Sequence, residues 1–365
     1  MGAGPFWRPG MFWIARRAAS GERARPARYF REAGRASLPA PAPGDRPRRN
    51  GAARKDGSTM RILVLGAGGV GGYFGGRLAE AGVQATFLVR PGRAAQLARD
   101  GLVVESPCGG LRVQPLVATE ARDEGWDLVL LSCKSYDLAA AMDAIAPAVG
   151  AGTVVVPLLN GLAHMDALDA RFGAARVAGG VAYIAATLSP EGTVRHLNNV
   201  HRLGFGMRGG AHPPALRWLA EALGRTPVEA RLLDDPVQAL WDKWTLLGPL
   251  AATTCLMRAP VGRIVAAEGG AALMRACLAE VVAIAAAAGH APAEGVVAGA
   301  GKTLAEPGSR FAASMLRDIE RGGPTEGAHV VGDLVARAAA AGLAAPVLGA
   351  AWIHLQAYEA GRARP

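Results

Sequence analysis

At 365 residues the chain has room for two domains of ordinary size. Its net charge of +10 suggests a nucleic-acid partner at first sight, but residues 1–59 carry 12 Arg and one Lys against two Glu and two Asp, nine of those ten charges. The body is close to neutral, so a nucleic-acid role would rest on that leader alone.

The leader is rich in Arg, Ala, Pro and Gly and has no hydrophobic periodicity. Three readings fit it: a start-site artefact with translation beginning at Met60, a disordered tail, or an Arg-rich transit peptide. A secretory signal is excluded because Arg8, Arg16 and Arg17 interrupt its apolar stretch. No run suited to crossing a membrane stands out along the chain. Cys108, Cys133, Cys255 and Cys277 show no C-x-x-C spacing and no grouping with His. They read as reduced thiols, and the body as a soluble cytoplasmic protein that needs no membrane and no metal.

From Arg61 to Leu65 an apolar strand runs into Gly66-Ala67-Gly68-Gly69-Val70-Gly71, a Gly-x-Gly-x-x-Gly motif. Gly66 permits the tight turn, Gly68 lets backbone amides approach a pyrophosphate, and Gly71 lets the next helix pack on the strand. A helical pattern follows from Tyr73 to Glu80, then a second strand from Val83 to Val89. NAD-specific sites place Asp or Glu about 20 residues beyond the glycines. Here stands Arg90-Pro91-Gly92-Arg93, which favours the 2′-phosphate of NADP(H), the plain alternative being that the two arginines are solvated loop charges.

Continuous apolar runs at Trp126–Ser132 and Thr153–Leu159 read as parallel strands buried on both faces, with a crossover helix from Tyr136 to Val149 between them. Further strands are expected at Arg176–Ala182, Ile184–Leu188, Thr193–Leu197, Arg202–Gly206 and Val228–Leu233. Asp235-Pro236 then caps a run of Ala-rich helices: Val237–Leu247, Ala267–Ala288, Phe311–Arg321, Glu326–Ala341 and Ala345–Glu359. The expected organisation is the leader (1–59), a Rossmann-like dinucleotide-binding α/β domain (60–234) and an all-α substrate domain (235–365), with the site in the cleft between them.

Lysine is scarce: Lys55, Lys134, Lys243 and Lys302 are the four in the chain. Lys134 follows one parallel strand and Asn160 another, so both fall at the carboxyl edge of the sheet, where ligands bind. The plain alternative is a loop Lys beside an Asn-Gly turn. Lys243 sits among Leu240, Trp241, Trp244, Leu246 and Leu247. Burial there would lower its pKa and make it a proton donor for a carbonyl oxygen, unless it snorkels to the surface. Glu326 opens a helix behind Thr325, an ordinary place for a carboxylate. Ser314 and Asp318 share one helix face. His201, His329 and His354 are isolated in sequence and read as structural.

These residues together resemble the ketopantoate reductase (2-dehydropantoate 2-reductase) family over nearly the whole body. The resemblance is carried by the glycine motif, Cys133-Lys134-Ser135-Tyr136-Asp137, Asn160-Gly161, Leu240-Trp241-Asp242-Lys243, and Ser314-Met315-x-x-Asp318 with Thr325-Glu326. It implies an all-α domain like the C-terminal domain of 6-phosphogluconate dehydrogenase, and NADPH-dependent reduction of a 2-oxo acid, most directly 2-dehydropantoate to pantoate in pantothenate biosynthesis. By that resemblance Lys243 is the general acid. Arg90 meets the 2′-phosphate, Lys134 and Asn160 contact cofactor and substrate, and Ser314 and Glu326 hold the substrate. Where the family's pantothenate-pathway members carry asparagines on the substrate face, one and two turns after the catalytic lysine, this chain has Leu247 and Ala251, with Gly248-Pro249 expected to interrupt the helix. Alternatives are therefore a paralogue for a different, less polar keto acid and a non-catalytic NADP-binding regulator. A homodimer is compatible with the sequence, which does not fix the oligomeric state.

Overall fold

The structure, a computed structural model, describes residues 60–362; the leader, and with it every expectation about it, lies outside the described residues. The first half begins with β1 (Ile62–Leu65), α1 (Gly69–Glu80), β2 (Ala85–Leu88), α2 (Pro91–Asp100), β3 (Leu102–Glu105), β4 (Leu111–Val113) and β5 (Leu116–Ala118). It continues through β6 (Leu128–Leu131), α3 (Leu138–Ile145), β7 (Val154–Pro157), α4 (Ala163–Phe172), β8 (Gly179–Leu188), β9 (Val194–Gly206), α5 (Pro214–Leu223) and β10 (Glu229–Leu232).

Strands β5-β2-β1-β6-β7 form a wholly parallel sheet in that order. All four residues of β1, β6 and β7 are buried, as continuous apolar strands covered on both faces must be. A second sheet, β10-β9-β3-β4 with β8 on β9, packs across α1. Two pairs of expected strands are in fact single long ones. β8 runs through Tyr183 with a bulge between Ile184 and Ala186, and β9 runs through the polar Asn198-Asn199 step. A bulge keeps a strand in the ladder where the sequence pattern slips by one.

The second half is helical: α6 (Pro236–Met257), α7 (Val261–Ala266), α8 (Gly270–Ala287), α9 (Glu294–Leu304), α10 (Ser314–Glu320), a wide π-helical segment (Ala328–Gly332), α11 (Asp333–Ala340) and α12 (Pro346–Arg362). Asp235 caps α6, its Oδ1 accepting from the Gln238 amide at 2.9 Å. Contrary to expectation, α6 continues for 22 residues through Gly248-Pro249. Proline there loses one helical hydrogen bond, at a cost of about 3 kcal/mol. Burial of Trp241, Trp244, Leu250, Ala251, Ala252 and Cys255 along the same helix outweighs it.

Helix α8 is long and apolar enough to span a bilayer, where the sequence reading found no such run. It packs on α6, and its Met274, Cys277, Val281 and Ile284 are all buried. All four cysteines are free thiols.

Candidate active site

Three strand ends of the parallel sheet carry the site. After β1 the chain turns at Gly66 (φ +89°) and enters α1 at Gly69, with Gly68 as its N-cap. A Cβ on Gly71 would collide with Ser132 Oγ and the Gly66 carbonyl, so glycine is required for α1 to approach β6. A Cβ on Gly68 would meet nothing within 4 Å, so the turn is open at the N-cap of α1. An open concavity lined by helix N-terminal amides fits a pyrophosphate. Ala67 is held from behind: its carbonyl accepts from Arg93 at 2.9 Å, and Arg93 also donates to the Gly192 carbonyl at 2.9 Å. Arg93 is thereby occupied, while Arg90, at the N-cap of α2, has its side chain 81% exposed and pairs with Asp137 at 3.3 Å.

Beyond β6, Lys134 Nζ donates to Glu326 Oε2 at 3.0 Å and Asp318 Oδ2 at 3.2 Å, both from the helical half. Burial pulls its pKa down, but the two carboxylates prevail and hold it above the usual lysine value. Glu326 is 5% exposed, and its other oxygen accepts from the Ser135 amide at 3.1 Å. Its site is thus closed by two donors from the opposite half of the molecule.

Beyond β7, Asn160 Oδ1 accepts from Lys243 Nζ at 2.8 Å, and the Ala182 carbonyl of β8 accepts from it at 2.7 Å. Lys243 also lies 5.5 Å from the centre of the Tyr183 ring. No carboxylate pairs with it in the described structure. Burial therefore lowers its pKa to about 8, with Glu326 pulling weakly the other way. The amine is held by two neutral acceptors, at a pKa from which it can give up a proton near neutrality.

Leu247 and Ala251 follow Lys243 by one and two turns of α6, on the same face; Leu247 is partly buried and Ala251 is 1% exposed. Ser314 begins α10, which packs on α6, the Ala313 amide donating to Thr254 Oγ1 at 3.4 Å. The structure therefore brings Lys243 and Asn160 together at one place and Lys134 and Glu326 at another, with the weak pull of Glu326 on Lys243 linking the two. Sequence reasoning gave Asp318 no role of its own and did not name the Ala182 carbonyl, Tyr183 or the Ser135 amide. The spacing of Asp318 one turn after Ser314 was the available signal for the first. Backbone groups leave none.

Two of the three histidines read as isolated have partners, while His354 Nε2 has none among the described residues. His201 meets Tyr73 Oη at 2.6 Å and His329 meets His164 at 3.1 Å.

Two family models match, one described as ketopantoate reductase PanE/ApbA over residues 62–209 and the other as its C-terminal domain over residues 235–359. The chain belongs to the ketopantoate reductase family. It is 35% identical over 301 residues to the uncharacterized oxidoreductase YkpB of Bacillus subtilis, covering 82% of this chain and 99% of that one. It is 31% identical over 297 residues to a 2-dehydropantoate 2-reductase of Mesorhizobium japonicum, covering 73% and 88%. Among solved structures, a 2-dehydropantoate 2-reductase from Geobacter metallireducens superposes with TM-score 0.75 at 30% identity, covering 82% of this chain and 99% of that one. The ketopantoate reductase family consists of oxidoreductases that act on CH–OH groups of small keto and hydroxy acids with a nicotinamide dinucleotide, and this chain is one of them.

Proposed function

We propose that this chain reduces a 2-oxo acid to a 2-hydroxy acid with NADPH, and that 2-dehydropantoate, the substrate named for its relatives, is the acid reduced. The observation that carries the reading is Lys243: an amine with no carboxylate partner, fixed between Asn160 and Ala182. The nicotinamide, when bound, supplies the hydride. Gly66, Ala67, Gly68, Gly69, Val70 and Gly71 would cradle its pyrophosphate, and exposed Arg90 would take the 2′-phosphate in place of its weak partner Asp137. Lys243 would give a proton to the keto oxygen, and Asn160 aims the amine. Lys134 presents a fixed positive charge towards the acid's carboxylate, Glu326 orients Lys134 and accepts from a substrate hydroxyl, and Ser314 donates to the bound acid. In this reading residues 60–234 bind the cofactor and residues from 235 onward close over the substrate.

A second reading has a specific basis. Leu247 and Ala251 offer no hydrogen bonds beyond Lys243, which favours a keto acid with an apolar side chain over a hydroxylated one. Oxidation of NADPH by the full chain with 2-dehydropantoate and a panel of 2-oxo acids, beside Lys243→Ala, separates the two. Preference for 2-dehydropantoate, lost in the variant, supports the first. Preference for an alkyl or aryl 2-oxo acid supports the second. Binding of NADPH without turnover of any acid would instead support a non-catalytic regulator.

A further inference from the structure

Asn160 and Glu326 come from opposite halves of the molecule, and the residues just beyond them meet. His164, on the first turn of α4, places Nδ1 3.1 Å from Nε2 of His329 in the π-helical segment, the two ring planes 28° apart and their centroids 5.3 Å apart. The approach is close: a Cβ on Gly161 would stand 2.9 Å from the His329 carbonyl oxygen, so glycine is required. The His329 amide donates to the Glu326 carbonyl at 3.1 Å. One residue thus packs against the Asn160–Gly161 turn and bonds to the backbone of Glu326. His164 is 0% exposed, and its Nε2 has no hydrogen-bond partner among the described residues. An unmet buried polar atom costs about 1–3 kcal/mol, so simple packing would favour an apolar residue there. π-helical segments within helices recur at functional sites.

We propose that the His164–His329 pair is a positioning clamp that locks the Asn160 turn to the Glu326 segment and so fixes the surroundings of Lys243. The assignment rests on the reading of Lys243 and Glu326 given above. The bond needs one nitrogen bearing hydrogen and one without, so it cannot form when both rings are charged. Burial, aided by His329 and Lys243, holds His164 down to a pKa of about 3. Burial also lowers His329, against the pull of Glu326 and Asp333.

The amide of Asn stands where Nδ1 stands in histidine, and that of Gln where Nε2 stands. His164→Asn and His329→Gln therefore keep the contact, whereas His164→Leu and His329→Leu remove it. In the full chain, the Leu variants should lose about tenfold or more in kcat with KM for NADPH unchanged, and the amide variants should stay within about threefold of the parent. A second readout is independent of turnover. With four lysines in the chain, 13C at Cε makes each titration separable. Loss of the clamp admits water, so the Lys243 midpoint should rise from about 8 towards the ordinary 10.5 in the Leu variants and stay put in the amide variants. Leu variants that keep both kcat and the Lys243 midpoint would overturn the clamp, as would amide variants as impaired as the Leu ones. If the parent turns over no 2-oxo acid, the reaction assignment fails while the lysine titration still decides the clamp.

Discussion

Lys134 and Lys243 each reach across to the opposite half of the molecule and have opposite surroundings. Lys134 faces Glu326 and Asp318 within 3.2 Å and is held charged well above neutrality. Lys243 faces one amide oxygen and one backbone oxygen, and its pKa falls to about 8. The two side chains are chemically identical, so the difference lies wholly in their partners. A carboxylate makes lysine a permanent charge; neutral acceptors in partly buried surroundings make it a proton donor.

The strongest way to test that contrast is to remove each amine. Lys243→Ala should lower kcat by about 10²–10⁴-fold, the usual worth of a general acid. Lys134→Ala should act mainly on KM for the acid, raising it about tenfold for the loss of one charge-assisted contact. Equal losses of kcat in both would mean that the two lysines do the same job. Arg90→Ser comes next: KM for NADPH should rise about tenfold and KM for NADH stay level, since only the phosphate distinguishes them. In steady-state profiles, the proton donor must be charged, so kcat/KM should fall as pH rises through about 8, the value for Lys243. A limb at the ordinary lysine position would show that Lys243 is solvated.

The smallest effect is on stability. Because the folded pKa of Lys243 lies below its unfolded value of 10.5, the folded protein carries a costly buried charge below about pH 8 and sheds that cost between about 8 and 10.5. Lys243→Met should therefore raise Tm by a few degrees at pH 7, with the gain shrinking across that window in a melting series.

Much of this was legible in the residues. Continuous apolar strands and the glycine motif gave the parallel sheet, and the scarcity of lysine pointed at Lys134 and Lys243 before any contact was known. What escaped notice did so for physical reasons. Strands β3, β4 and β5 are three or four residues long and too short to show a period. Helices α2, α4, α5, α7 and α9 also went unread: α2 opens on a Pro-Gly pair, α7 is only six residues long, and α9 is interspersed with three glycines. Pro249 signalled a break that packing overrode. His164 and His329 stand 165 residues apart and meet only because two halves of the chain close on each other.

One contact made by Arg93 has a wider effect. A peptide unit points its carbonyl and its amide in opposite directions, so whatever grips one face of the unit decides the other. By holding the Ala67 oxygen, Arg93 fixes how the Ala67–Gly68 peptide unit lies and so which way the Gly68 amide hydrogen points. A side chain on α2, outside the glycine motif, thereby sets the direction of one of the motif's own dipoles.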